Sequence, residues 1–208
     1  MGITVFSLAL EEENSAGVTT PEIEYVYYAK LTDEKILENL EYEDQEQWEI
    51  KIPVIDGAIN MGRLRSRRTT KGSDVVYTQT LKVTDKSKQN TEGPKDDLET
   101  TIIGTKDLFN QFKLIAPNGM VKRRYFMPIP GTSLTWQIDR FYDVNGGFFE
   151  DVKIDLEVEH VMRTIFELPE GFSNVIMNQA NARTPEEVAR IQKLYDDVFL
   201  TKNPLFTR

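Results

Sequence analysis

The chain is 208 residues long, 39% apolar and 28% charged, with a formal net charge of −9 and no cysteine. That length is enough to bury a substantial core in one domain. The absence of cysteine excludes disulfides, thiol nucleophiles and zinc–thiolate sites, and the acidic balance argues against sequence-independent binding to duplex DNA. No run of 18 apolar residues occurs, so no membrane span is expected. The first residues, MGITVFSLALEEEN, have no basic leader and match the myristoylation pattern only in part, which points to a cytoplasmic protein without a secretory signal.

In chain order, EIEYVYYAK (22–30) is rich in aromatic and β-branched residues and alternates in polarity, which predicts a strand. Thr32 is placed to cap a short helix over DEKILENL, and the acidic run EYEDQEQ (41–47) reads as solvated surface. Strands follow at 48–54, 62–68 and 75–83, and the polar stretch 84–97 reads as an exposed loop. LETTIIG (98–104) is a fifth strand candidate and KDLFNQFK (106–113) a short helix. Three more strands are predicted at 119–129, 134–142 and 149–160. Lys71-Gly72, Asn118-Gly119 and Asn145-Gly146 separate strands, and the two Asn-Gly pairs are hairpin signals. The clearest helix is C-terminal, with Thr184 as N-cap, Pro185 as first helical residue and Glu186 and Glu187 in the first turn. Val188, Ile191, Tyr195 and Val198 give that helix one apolar stripe. Eight strands with few helices imply an α+β, mainly antiparallel β chain forming a single domain over 1–208, with its core at about 20–200.

Residues of equal parity share one face of a strand. By that rule Glu22, Glu24 and Lys30 share a face, as do Arg63, Arg65 and Arg67, Thr80 and Lys82, Lys122 and Arg124, Gln137 and Asp139, and Asp155, Glu157 and Glu159. For any one strand, an antiparallel sheet with one wet face explains the pattern. The blocks of a single sign are harder to explain that way, because exposed faces normally mix signs. A closed barrel with a charged interior accounts for them. The cations are also concentrated, five within GRLRSRRTTK (62–71) and three within MVKRRYF (120–126), which suggests a local anion site in an acidic protein. Carboxylates in the same interior suit Mg²⁺ or Mn²⁺.

The ordered set EIE (22–24), RLR (63–65), TLK (80–82), KRR (122–124), QID (137–139) and EVE (157–159) resembles the CYTH superfamily, the triphosphate tunnel metalloenzymes. The resemblance implies an eight-stranded tunnel barrel with a few flanking helices and a C-terminal helix. It implies Glu22, Glu24, Asp139, Glu157 and Glu159 as metal-holding residues, with Glu24, Glu157 and Glu159 as the catalytic carboxylates. It implies Arg63, Arg65, Lys82, Lys122 and Arg124 as the phosphate grip, where Arg offers a fork and Lys a point charge. The chain departs from the family's ExExK signature by placing Val26 where the lysine belongs, and Lys30, of the same parity, is the nearest candidate to compensate. Whether Arg123 or Arg124 faces inward depends on register.

The activity so implied is divalent-metal-dependent hydrolysis of a triphosphate: tripolyphosphate, a nucleoside or thiamine triphosphate, or an RNA 5′ end. Two alternatives are a tunnel that binds such a ligand without turnover, which Val26 favours, and an interaction module, which the acidic runs favour. Expected partners are a small polyphosphate or nucleotide and possible RNA 5′ ends, with no duplex DNA and no membrane; no protein partner is indicated. His160, the sole histidine, has the parity opposite to the carboxylates and reads as structural. Trp48 and Trp136 read as members of the apolar layer, and Gly146-Gly147 as a turn.

Overall fold

The computed structural model describes residues 18–52, 59–85, 95–143, 145–159, 166–177 and 184–198. The elements in order are β1 (Val18–Leu31), β2 (Glu41–Ile52), β3 (Ile59–Lys71), β4 (Asp74–Asp85), β5 (Lys95–Ile103), α1 (Lys106–Ile115), β6 (Asn118–Pro128), β7 (Thr135–Tyr142), β8 (Phe148–Val158), β9 (Phe172–Met177) and α2 (Pro185–Val198). The strands form one nine-stranded sheet in the order β5-β4-β3-β2-β6-β7-β8-β1-β9, and β5 pairs additionally with β1. Strand β1 joins the parts. One of its edges meets β8 from Ile23 to Lys30, and the other meets β5 from Val18 to Glu24 and then β9 from Tyr27 to Leu31. All of these pairings are antiparallel, so the chain is α+β and mainly antiparallel β, with one strand more than predicted.

The additional strand is FSNVIM, whose mixed composition carries no alternation signal. The run EYEDQEQ is not loose surface but the first half of β2. Gln45, Gln47 and Glu49 are buried on one of its faces, and Trp48 is buried on the other. Asn118-Gly119 is not a hairpin turn. It opens β6 directly after α1 and pairs with Glu49 and Trp48. The glycine is required by close approach, since a Cβ there would lie 2.5 Å from the Trp48 ring. Lys71-Gly72 and Asn145-Gly146 do form turns, with Gly72 and Gly146 at φ of 61° and 83°. Asp33, rather than Thr32, caps a short 3₁₀ turn over Glu34–Leu37. His160 and most of the polar stretch between β4 and β5 lie outside the described residues.

Alternation along the strands separates an apolar face from a polar one. The apolar face of β1, β6, β7 and β8 carries Tyr25, Tyr27, Tyr125, Trp136, Ile138, Val152, Ile154 and Leu156, which form the main core. On β2, Trp48 packs beneath Phe109 and Phe112 of α1. The hydroxyl of Thr105 caps α1 by accepting from Leu108 N–H at 3.2 Å. Helix α2 begins at the predicted Thr184 cap, which forms a reciprocal pair with Glu187. Thr184 N–H donates to Glu187 at 2.7 Å, and Glu187 N–H donates to the Thr184 hydroxyl at 3.2 Å. Its buried residues are Ile191, Leu194 and Val198, while Val188 is exposed, so the stripe lies slightly off the predicted one. These residues pack on Val26 and Tyr28 of β1, Met120 of β6 and Phe141 of β7. Those four share parity with the charged rows, so α2 covers one end of the polar face.

Candidate functional site

The polar face encloses a cavity of about 140 Å³ lined by side chains from every strand from β1 to β8 and by Tyr195 of α2. Strand β3 contributes Arg63, Arg65 and Arg67, β4 contributes Lys82, β6 contributes Lys122 and Arg124, and β8 contributes Lys153. The carboxylates among them are Glu24, Glu49, Glu99, Asp139, Asp155 and Glu157. Tyr195 closes the α2 end, its hydroxyl 2.6 Å from that of Tyr28.

Most of these charges form two chains of ion pairs. On β6, β7 and β8, the Asp139 carboxylate accepts from Lys122 and from Arg124 Nε and Nη2 at 2.7 and 2.9 Å. Arg124 Nη2 also reaches Asp155 at 3.4 Å, and Asp155 accepts from Lys153. Burial by itself would raise the Asp139 carboxyl, but the charges of Arg124 and Lys122 hold it well below the usual carboxylate range. Burial opposes charge on Arg124 as well, and Asp139, then Asp155, outweigh it and hold the guanidinium above its ordinary range. Lys153 is likewise held above its ordinary range, by Asp155 and Glu24 against burial. Lys122 goes the other way. Burial and the neighbouring Arg124 push its ammonium down to about 7 despite Asp139. On β1, β3, β4 and β5, Arg65 reaches Glu99 at 3.2 Å, and Lys82 lies 3.8 Å from Glu99 and 4.0 Å from Glu24.

Arg63 and Arg67 stand outside both chains, with no carboxylate partner among the described residues. The only hydrogen bond of Arg67 there runs from Nη2 to Gln47 Oε1 at 3.3 Å, and its Nε is buried without an acceptor. Gln47 is held with its oxygen towards Arg67 because its amide nitrogen donates to Glu49 at 3.0 Å. Burial, together with the charges of Arg65 and Arg124, pushes Arg67 down to about 9.

Of the residues predicted for the site, Glu24, Arg63, Arg65, Lys82, Lys122, Arg124, Asp139 and Glu157 come together in the cavity. Register selects Arg124 for the inside. Arg123 turns outwards to Asp44, at 2.8 and 3.0 Å, and stacks on Tyr42. Lys30 does not join them, because β1 runs on past the cavity and its ammonium pairs with Glu150 at 3.2 Å on the surface. Glu159 lies one residue beyond the end of β8 and is exposed. The backbone of Glu22 pairs with Asp97, and its side chain lies outside the described part. Val26 is buried against α2.

No family model and no curated protein matches the chain. Among solved structures it is similar to the PH1819 protein from Pyrococcus horikoshii OT3, at 17% identity and a TM-score of 0.45, over 86% of this chain and 92% of that one. It is also similar to a conserved hypothetical protein, Pfu-838710-001, from Pyrococcus furiosus, at 20% identity and a TM-score of 0.44, over 85% and 94%. Among the described residues, no helix is long and apolar enough to cross a membrane.

The metal expectation meets a narrower donor set than predicted. Among the described residues, no group of three or more histidine, aspartate and glutamate side chains is placed to hold an ion. Asp139 already spends both oxygens on Lys122 and Arg124. What stands is a facing pair, since Glu24 of β1 and Glu157 of β8 are direct cross-strand partners and both line the cavity. Like charges opposed in this way are unfavourable without a cation, and Lys82, 4.0 Å from Glu24, and Lys153 already offset part of the charge. One or two carboxylates, completed by phosphate oxygens and water, is a common Mg²⁺ arrangement, so this pair fits such an ion.

Besides Met120, Phe141 and Tyr195, the cavity residues outside the expected set are Arg67, Gln47, Glu49, Glu99, Asp155 and Lys153. The parity rows contain two of them, Arg67 with Arg63 and Arg65, and Asp155 with Glu157 and Glu159, and Lys153 has the parity of the second row without being named in it.

Proposed function

We propose that this chain holds a triphosphate inside a closed β-tunnel and hydrolyses it with the help of a divalent cation. The observation that carries this is the convergence of seven basic side chains on one cavity in a chain of net charge −9. The β1–β5 pairing supports closure, because with it each strand from β1 to β8 has a neighbour on both edges. A small polyanion with charge on every unit is the ligand such a site suits. Arginine forks and lysine ammonium groups grip its non-bridging oxygens and stabilise the charge that builds up as a phosphoryl group transfers.

Glu24 and Glu157 are the residues that would hold Mg²⁺ or Mn²⁺, which when bound supplies Lewis-acid polarisation and a more acidic water. The remaining contributions come from the protein. Arg63, Arg65 and Lys82 bind on one wall, and Lys122 and Arg124 on the other. Tyr195 and the apolar residues beneath α2 exclude water from one end. Glu24, buried in the cavity, is the carboxylate assigned to orienting the attacking water. Inorganic tripolyphosphate, nucleoside and thiamine triphosphates and an RNA 5′ end all present the phosphates this site would read.

The test is phosphate release from a triphosphate panel with Mg²⁺, with Mn²⁺ and with chelator. Metal-dependent release that is lost in Glu24→Gln is expected, and no turnover on any triphosphate refutes hydrolysis. A second reading, capture without turnover, is favoured by Val26, which puts an apolar contact with α2 where the resemblance expects a lysine. Calorimetric binding with no release on the same panel would decide for it.

A further inference from the structure

The cations of the cavity are not equivalent, and the strand register shows why. Arg65 lies opposite Glu49 on β2, and Lys82 lies opposite Glu99 on β5. Arg67 instead lies between Gln47 on β2 and Thr78 on β4, both neutral. Cross-strand neighbours are the nearest available counter-charges in a sheet, and Arg67 shares with Arg63, which lies between Lys51 and Lys82, the lack of any on its two flanking strands. Gln47 reinforces the isolation. Its amide sits between Glu49 and Arg67, donating to the first and accepting from the second, which keeps the Glu49 carboxylate away from the guanidinium. A guanidinium carries five N–H donors, and Arg67 makes one hydrogen bond among the described residues. Its proton affinity is pushed down to about 9 by burial and by Arg65 and Arg124, which outweigh Asp139 and Glu99.

A half-buried arginine whose Nε is sealed from solvent without an acceptor, and which has no ion-pair partner among the described residues, is costly. We infer that Arg67 is the anchor for one phosphate group of the ligand, in a subsite that works without a metal ion, and that Gln47 keeps it free for that purpose. This rests on the cavity being a polyphosphate site and adds which residue secures the ligand by charge alone. Arg124 and Lys122 each already hold Asp139, and Arg65 holds Glu99, so an incoming phosphate must compete with a carboxylate there. At Arg67 it displaces only a neutral amide.

The experiment is calorimetric binding of tripolyphosphate in the presence of EDTA, alongside thermal melting of the same proteins with and without it. Three proteins are compared: wild type, Arg67→Met, and the nearly isosteric Gln47→Glu, which gives Arg67 an internal partner. Wild type is expected to bind without metal. Both variants should bind roughly tenfold to a hundredfold more weakly, the loss of one hydrogen-bonded ionic contact. Without anion, Arg67→Met should melt at or above the wild-type temperature, and tripolyphosphate should raise the melting temperature of either variant little. A merely structural arginine predicts the opposite, lower melting in Arg67→Met with unchanged affinity, and that result overturns the proposal. Unchanged affinity in Gln47→Glu overturns it as well. If wild type binds nothing in EDTA, the metal-free anchor is wrong, while metal-dependent phosphate release would still uphold the tunnel reading.

Discussion

Replacing Asp139 by asparagine separates a structural carboxylate from a metal ligand. The Asp139 side chain is fully buried and accepts from Lys122 Nζ and from Arg124 Nε and Nη2. Hydrogen bonds to charged groups contribute about 1.5–3 kcal/mol each, and breaking a buried ion pair by removing one partner costs about 3–5 kcal/mol. Asparagine keeps one acceptor, and Arg124 retains Gln137 and Asp155, so the cost is nearer that of one broken buried ion pair than of three separate bonds. Asp139→Asn should therefore lose about 3–5 kcal/mol, a large share of the roughly 5–15 kcal/mol typical of a domain. Urea unfolding read by tryptophan fluorescence measures this, since Trp48 and Trp136 are both buried. The substitution also makes the cavity more positive, so tripolyphosphate should restore more stability to the variant than to wild type. A variant within about 0.5 kcal/mol of wild type, with a weakened response to Mg²⁺, would refute the reasoning and return Asp139 to the metal set.

Other outcomes follow from single contacts. Lys122 is pushed down to about 7 from an ordinary value of 10.5, so between those values the unfolded chain binds more protons than the folded one. Stability should accordingly rise from pH 7 towards 10.5, by at most about 1.4 kcal/mol per pH unit for this group. Urea midpoints measured across that range should show the slope diminished in Lys122→Met, and an unchanged slope would count against it. Gly119→Ala drives a methyl group into the Trp48 ring and should cost about 1–3 kcal/mol in thermal unfolding. Val26→Lys restores the residue that the tunnel resemblance expects, yet it buries an ammonium beneath α2 opposite Asp155, which Lys153 and Arg124 already hold. A loss of roughly 2–4 kcal/mol without gain of turnover is expected, and a gain of metal-dependent phosphate release would show that the cation at this position matters more than the packing.

The strands and their inward faces were legible because a period of two is a local property. Glu24, Arg63, Arg65, Lys82, Lys122 and Arg124 all reached the cavity on parity and motif order alone. What parity does not supply is the end of the useful stretch along each strand. Lys30 has the parity of Glu24, but the cavity stops where Val26 and Tyr28 meet α2, a boundary set by a helix more than 150 residues away in sequence. EYEDQEQ misled for a related reason. Glutamine and glutamate in alternation signal a solvated face unless a second wall covers it, and that wall is built from other strands.

Ion-pair partners were illegible for a deeper reason, because they depend on register between strands rather than on any one strand. Opposite signs in six motifs are consistent with many pairings, and only alignment of β2 with β3 shows that glutamine rather than glutamate faces Arg67. That one-residue difference separates a neutralised wall from one that retains charge. A cavity holding only cations would repel itself and destabilise the empty protein. Interleaving Asp139, Asp155, Glu24 and Glu99 lets most of the basic side chains be buried before a ligand arrives, and each such carboxylate weakens the grip that its partner can give. For the polyphosphate proposed above, the same interleaving would concentrate binding where it is interrupted, at Arg63 and Arg67. On that proposal the carboxylates would act as structure for most of the cavity and as a source of selectivity for the rest, since only a ligand with enough charge to reach both Arg63 and Arg67 would recover the full electrostatic gain.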